Sequence, residues 1–290
     1  MSVQHATHRL VADDGHPIDV HLWTGASPAR GVLQIAHGMG EHARRYAALA
    51  EALAASGVAV VANEHRGHGE EALRRHEKGE LGPRGFAGLV ADMRQVSAFA
   101  RERHPGVPLV LLGHSMGSFA VKVYLLDHAE DVHAAAFTGT VALDLAEAGN
   151  ASAWKLQDKA APAQVRRTPY DWLSRDEAQV DAYIADPLCG HRLNVKSRQS
   201  MYAAYARTTA PGAFRVLRPG MPLFFFVGEE DAMHRKLAYF HPLVERFRSA
   251  GLHDITVKVY PGARHELLHE THRAEVISDV VAWVQRVLAR

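Results

Sequence analysis

The chain has 290 residues, 47% of them hydrophobic, enough for one large domain with a substantial core. Lys and Arg number 33 against 32 Asp and Glu, a formal net charge of +1, so no basic surface for nucleic acid is expected. A single cysteine, Cys189, excludes an intrachain disulfide, and no apolar stretch reaches membrane-spanning length. The N-terminal residues lack a basic patch followed by an apolar core, so the chain reads as soluble and cytoplasmic. Most of the 20 histidines, such as His5, His16, His133 and His253, lie in polar or turn-like surroundings and read as surface residues.

In chain order, residues 5–24 read as a hairpin around the turn Asp13-Asp14-Gly15-His16-Pro17. Apolar runs of β type follow at Val32–Ala36, Val58–Ala62, Leu109–Leu112, Ala134–Phe137, Leu223–Val227 and Ile255–Tyr260. Helical stretches fall at Tyr46–Ser56, Phe86–His104, Met116–Ala129, Tyr239–Ala250 and Ala274–Leu288. Short continuous apolar strands spaced by amphipathic helices predict an α/β fold, a parallel sheet covered on both faces. One segment breaks this alternation. Residues 141–209 carry no strand pattern, several helix-like pieces, and punctuation at Pro162, Pro169 and Pro187. That predicts a helical cap inserted into a core made of 1–140 and 210–290, placed over the carboxyl ends of the strands, where open α/β sheets bind ligands.

The chemistry-bearing residues fall at those strand ends. Gly113-His114-Ser115-Met116-Gly117 sits between an apolar strand and a helix, the setting of a nucleophile elbow. With 12 serines and 23 glycines in 290 residues, chance supplies about 0.08 such matches, so the flanking elements add most of the weight. The first parallel strand ends in His37-Gly38-Met39-Gly40-Glu41-His42. This loop reads either as a plain turn or as one that aims the Met39 N–H at an oxyanion. The Met116 N–H, at a helix start, would be the second donor. Past Leu223–Val227 come Gly228-Glu229-Glu230-Asp231. Asp231 is the expected acid, and Glu229 and Glu230 read as solvated charges. The last strand leads into Pro261-Gly262-Ala263-Arg264-His265, a loop suited to a general base. The order Ser115, Asp231, His265 is the Ser…acid…His order of one hydrolase fold and of neither chymotrypsin-like nor subtilisin-like enzymes.

A competing motif, His265-Glu266-Leu267-Leu268-His269, matches His-Glu-x-x-His, a zinc-peptidase pattern. It needs both histidines on one helical face and a third ligand, whereas His265 follows a Pro-Gly turn directly off a strand. A catalytically silent small-molecule binder is a further alternative.

Taken together, His37-Gly38-Met39-Gly40-Glu41-His42, Arg66-Gly67-His68-Gly69, Gly113-His114-Ser115-Met116-Gly117, Asp186-Pro187-Leu188-Cys189, Gly228-Glu229-Glu230-Asp231 and Pro261-Gly262-Ala263-Arg264-His265-Glu266 resemble the monoacylglycerol lipase and lysophospholipase branch of the α/β-hydrolases, grouped with the serine aminopeptidase-like hydrolases. The resemblance implies a mostly parallel eight-stranded sheet with a helical cap. It implies Ser115 as nucleophile, Asp231 as acid, His265 as base, and oxyanion donors at Met39 and Met116. It implies cleavage of monoacylglycerols, lysophospholipids or related esters without a cofactor or metal, with amide or peptide cleavage as the alternative on the same fold. The sequence leaves transient membrane-surface contact through the cap open. Four places depart from the family pattern: Glu64 where Asp is usual, Glu70 and Glu71 after Gly69 where a Ser is usual, Ser118 where Gly is common, and Thr138-Gly139-Thr140 without the usual Pro. Cys189 reads as a packing cysteine or a reactive thiol. Trp154, Tyr170, Trp172, Tyr202 and Tyr205 read as acyl-tunnel lining or as helix packing, and Arg166 and Arg167 as a solvated face or as contacts to lipid head groups.

Overall fold

The computed structural model describes residues 2–148 and 167–289. Gln4–Val11 (β1) and Pro17–Thr24 (β2) form the expected antiparallel hairpin. The other strands are Val32–Ala36 (β3), Ala59–Asn63 (β4), Leu109–His114 (β5), Ala134–Thr138 (β6), Leu223–Gly228 (β7) and Ile255–Tyr260 (β8). They make one eight-stranded sheet in the order β1-β2-β4-β3-β5-β6-β7-β8. β2 runs antiparallel to β4, and every later pair is parallel.

Why these runs become buried strands is visible in their alternation. In β5, Leu109 and Leu111 face one core while Val110 and Leu112 face the other. In β7, Phe225 joins the first core, and Phe224 and Phe226 the second. Both faces are therefore apolar, and helices must cover both. On the first side lie Gly85–Arg103 (α3) and Met116–His128 (α4), contributing Leu89, Met93, Phe119 and Tyr124. On the second lie Ala47–Ala55 (α1) and Arg273–Leu288 (α9), contributing Leu49, Leu53, Val280 and Trp283. A short helix at Gly69–Arg74 (α2), absent from the sequence expectations, starts with Glu70 and Glu71, acids that suit a helix N-terminus.

Between β6 and β7 the described residues hold no strand. They hold Leu143–Ala148 (α5), Glu177–Ala185 (α6) and Val195–Ala206 (α7). The expected roles of Trp154, Pro162 and Arg166 lie outside the described residues. The last of these helices is sewn to α3 and to the segment just before it. Ser197 Oγ accepts the Leu81 N–H at 2.9 Å, Ser200 Oγ accepts the Phe86 N–H at 3.0 Å, and Met201 and Tyr205 are buried in the first core. His241–Ser249 (α8), with Leu243, Val244 and Phe247 buried, completes that side. No helix among the described residues is long and apolar enough to cross a membrane.

One buried ion network ties the hairpin turn to the core. Arg66, 2% exposed, makes paired hydrogen bonds to Asp92 at 2.6 and 2.8 Å and to Asp14 at 2.6 and 2.9 Å. Burial pushes the Asp92 carboxyl up against the pull of Arg66. Removing the guanidinium strands that carboxylate, so Arg66→Gln should cost about 3–5 kcal/mol in urea unfolding. Asp14→Asn, at a side chain 26% exposed, should cost about 1 kcal/mol or less. Equal losses would contradict this reading of the network.

Candidate active site

The sheet order places the site. β3 is flanked by β4 on one side and β5 on the other, so the strand sequence reverses there. The crevice at such a reversal is where α/β sheets bind ligands. Ala36 pairs with Gly113, which brings the loop after β3 and the loop after β5 side by side.

Ser115 lies at that point with φ 50° and ψ −118°, a strained conformation for a residue with a side chain. The glycines on either side make it attainable. A Cβ at Gly113 would stand 2.6 Å from the Gly117 carbonyl oxygen, and one at Gly117 would collide with the Ala36 carbonyl oxygen. The Ser115 N–H donates to Thr138 O at 3.0 Å, fixing the turn to the end of β6. Ser118, the departure from Gly, adds a second tie: its hydroxyl bonds Ser115 O at 2.6 Å and Thr140 Oγ1 at 2.9 Å.

Asp231 and His265 come together because β7 and β8 are neighbours, with Gly228 opposite Tyr260. His265 Nδ1 lies 2.8 Å from Asp231 Oδ2, and Asp231 Oδ1 accepts the Met233 N–H at 2.8 Å. Burial opposes ionisation of Asp231, but His265, His234 and these hydrogen bonds outweigh it and hold its pKa at about 2. Burial likewise opposes the His265 imidazolium, and the Asp231 charge reverses the balance, raising its pKa above 6.5. Glu229 and Glu230 are exposed, as expected, and Glu229 accepts the Gly262 N–H. Gly139, at φ 56°, backs the histidine: a Cβ there would lie 2.8 Å from His265 Cε1.

Ser115, His265 and Met39 line one cavity of about 100 Å³. A Cβ on Gly38 would stand 3.3 Å from Ser115 Cβ, so this loop touches the serine. Two buried histidines hold its shape. The His65 N–H donates to His37 Nε2 at 3.0 Å, which leaves His37 Nδ1 to donate to Gly38 O at 2.7 Å. The Gly40 N–H donates to His68 Nε2 at 3.2 Å, which leaves His68 Nδ1 to donate to Arg66 O at 2.9 Å. Burial drives both pKa values well below 6.5. Glu64 supports the same loop through the Ala43 N–H, 3.3 Å from each carboxylate oxygen. Sequence reasoning missed these braces. His5, His16, His133 and His253 are exposed or half-buried as expected, but nine of the 20 histidines are buried.

Cap aromatics divide. Tyr170 and Trp172 line the cavity, with the Trp172 ring 4.8 Å from that of His265. Tyr205 serves helix packing: its ring meets Phe119 edge-on, and its hydroxyl bonds the Val141 carbonyl and the Leu143 N–H. Tyr202 is half-buried against the same core. Arg167 pairs with Asp181 on the surface. Cys189 packs with Leu173 and Tyr183, and burial pushes its thiol up. Ile184 and Val195 are the exposed large apolar residues in the described part of this segment, and α6 and α7 carry one each.

The His-Glu-x-x-His pattern does not assemble as a zinc site. Leu267–His269 is a single 3-10 turn, so the two histidines share no α-helical face. His265 Nδ1 is bound to Asp231, His269 Nε2 donates to Arg45 O at 3.1 Å, and Glu266 is held by Arg45. Among the described residues, two other groups have metal-compatible spacing: His42, Asp186 and Cys189, and His128, Glu130 and Asp131. In the first, His42 Nε2 is already bonded to Asp186 at 2.9 Å.

Residues 27–272 match the family described as serine aminopeptidase, S33. The chain belongs to this family. Among its relatives, monoacylglycerol lipase of Mycolicibacterium smegmatis is 32% identical over 295 residues, covering 98% of each chain. Monoglyceride lipase of Mus musculus is 31% identical, covering 97% of this chain and 90% of that one. A solved structure of a carboxyl esterase from Bacillus coagulans, in complex with glycerol, shares the fold of this S33 member. Its TM-score is 0.85 at 22% identity, over 99% of each chain.

The bonding of His37 and His68 predicts that both stay neutral, with the proton on Nδ1, at pH 5.5. Nitrogen-15 NMR of the imidazoles should show an unprotonated Nε2 in both. Titration of either near 6.5 would contradict the brace.

Proposed function

We infer that this S33 family member hydrolyses carboxylic esters through an acyl-enzyme, with monoacylglycerols as its substrate class. The observation that carries the reading is the His265–Asp231 hydrogen bond of 2.8 Å, made by a histidine that lines one cavity with Ser115. The monoacylglycerol lipases among the relatives supply the substrate class.

Ser115 Oγ attacks the ester carbonyl while His265 Nε2 takes its proton. Asp231 fixes the Nδ1–H tautomer and stabilises the imidazolium. The N–H groups of Met39 and Met116 receive the oxyanion, the second reinforced by its place at the start of α4. His265 then protonates the departing alcohol and activates water to release the acid. The described cap residues that line the cavity, Tyr170 and Trp172 among them, hold the acyl chain and the alcohol, with Trp172 beside the base. No resident metal or cofactor has a step in this scheme.

Amide cleavage, which the family description invites, is less well supported. A free α-ammonium group calls for an unoccupied carboxylate near the serine. Both oxygens of Glu266 are bound by Arg45, and Glu41 accepts from Arg45, Gly38 and Tyr46.

Kinetic measurements test the scheme. Ser115→Ala should abolish turnover of monooleoylglycerol and p-nitrophenyl butyrate, while chelators leave the native enzyme unaffected. Activity of Ser115→Ala at the native rate, or full loss in chelator, would contradict the scheme. Because His265 must be neutral to accept a proton and its pKa is raised, kcat/KM should fall as pH drops through a midpoint above 6.5. Asp231→Asn should lower kcat on the order of 10³- to 10⁴-fold and move that midpoint down.

A further inference from the structure

The wall of the cavity beside Ser115 carries two carboxylates against one buried guanidinium. Glu41 reaches it from the loop after β3, and Glu266 from the residue following His265. Arg45 bridges them. Its Nη1 donates to Glu41 Oε2 at 2.9 Å and to Glu266 Oε1 at 2.7 Å, and its Nη2 to Glu266 Oε2 at 2.7 Å. The side chains of Glu41, Arg45 and Glu266 are 3%, 9% and 6% exposed, so solvent screens them weakly.

The group keeps a surplus of one negative charge. Burial disfavours the Glu266 carboxylate, yet Arg45 overrides it and holds the pKa at about 2. The facing imidazoles do not neutralise the surplus, since burial lowers His114 to about 3 and His269 to about 4. Above its raised pKa, His265 carries charge only while it holds the proton taken from the nucleophile. Arg192 also lines the cavity, but it is an exposed residue, where its charge is screened. Without Glu266, Arg45 would present a planar guanidinium fork to the cavity, a geometry suited to phosphate.

We propose that Glu266 is a charge filter for the alcohol side of the substrate: by engaging the Arg45 fork and keeping the cavity wall negative, it admits uncharged alcohols such as glycerol and rejects phosphate-bearing ones. This rests on the ester-hydrolase reading and gives its monoacylglycerol substrate class a physical basis, against the lysophospholipids that the sequence resemblance also implies. Nothing in the His-Glu-x-x-His reading of the sequence assigned Glu266 such a role. Its backbone N–H is held by Leu173 O at 2.8 Å, so the carboxylate is placed by the cap segment as well as by the core.

The test compares the native enzyme with Glu266→Gln, which keeps the shape and removes the charge. Both are assayed on monooleoylglycerol and oleoyl lysophosphatidate in the same mixed micelles. The native enzyme should favour the neutral substrate, and the variant should narrow the kcat/KM ratio about tenfold, mostly through KM. Glycerol 3-phosphate should inhibit p-nitrophenyl butyrate hydrolysis about tenfold more strongly in the variant, with glycerol changed by less than about twofold. An unchanged ratio in a variant that melts like the native protein overturns the filter. Should Glu266→Gln fail to fold, the native enzyme decides: stronger inhibition by glycerol 3-phosphate than by glycerol overturns the proposal, and the reverse supports it. Failure of the native enzyme to turn over any ester sinks the functional reading instead, which keeps the two outcomes distinct.

Discussion

The strained turn at Ser115 is the constraint on which the rest of the molecule depends. A φ of 50° with a side chain present persists only where the surroundings over-determine it. Here those surroundings are specific: Gly113 and Gly117 pack against each other and against Ala36, Thr138 takes the serine N–H, and Ser118 takes its carbonyl. Each of these contacts requires β3, β5 and β6 to lie side by side. The sheet order supplies that, and the buried apolar faces of the three strands enforce it.

Around this point the site is assembled from groups whose charge states are set by burial and by one another. Asp231 stays ionised because His265 and the Met233 amide repay its desolvation. His37 and His68 stay neutral because burial makes their charged forms costly, and neutrality lets each accept an N–H from a neighbouring loop. Raised and lowered pKa values thus serve different ends within a few residues of each other. The raised pKa of His265 favours its gaining a proton, and the braces are prevented from gaining one.

Much of this was legible in the sequence because it follows from local pattern. β3 and β8 fall where the apolar runs place them, and the remaining predicted strands shift by one or two residues at an end. Ser115, Asp231 and His265 stood out because each sits just past a strand, and the parallel sheet gathers strand ends. What could not be read was set by contacts distant in sequence. Arg45 and Glu266 are 221 residues apart, and the Asn63–His65 stretch meets His37 across 28. Ser118 and Glu64 looked like departures from a family pattern, yet each holds a loop at the site. The Glu266-x-x-His269 pairing, suggestive of zinc in one dimension, is reorganised by the 3-10 turn and by Arg45 in three.

The central claim is that the strained Ser115 hydroxyl, served by His265, is the nucleophile. Covalent labelling tests it most directly. The native protein is treated with an alkyl fluorophosphonate at pH 8, and the adduct is located by intact-mass and peptide mass spectrometry. The account predicts one adduct per chain, on Ser115, formed far more slowly in His265→Ala. An adduct on another residue, or labelling that ignores the loss of His265, would contradict it.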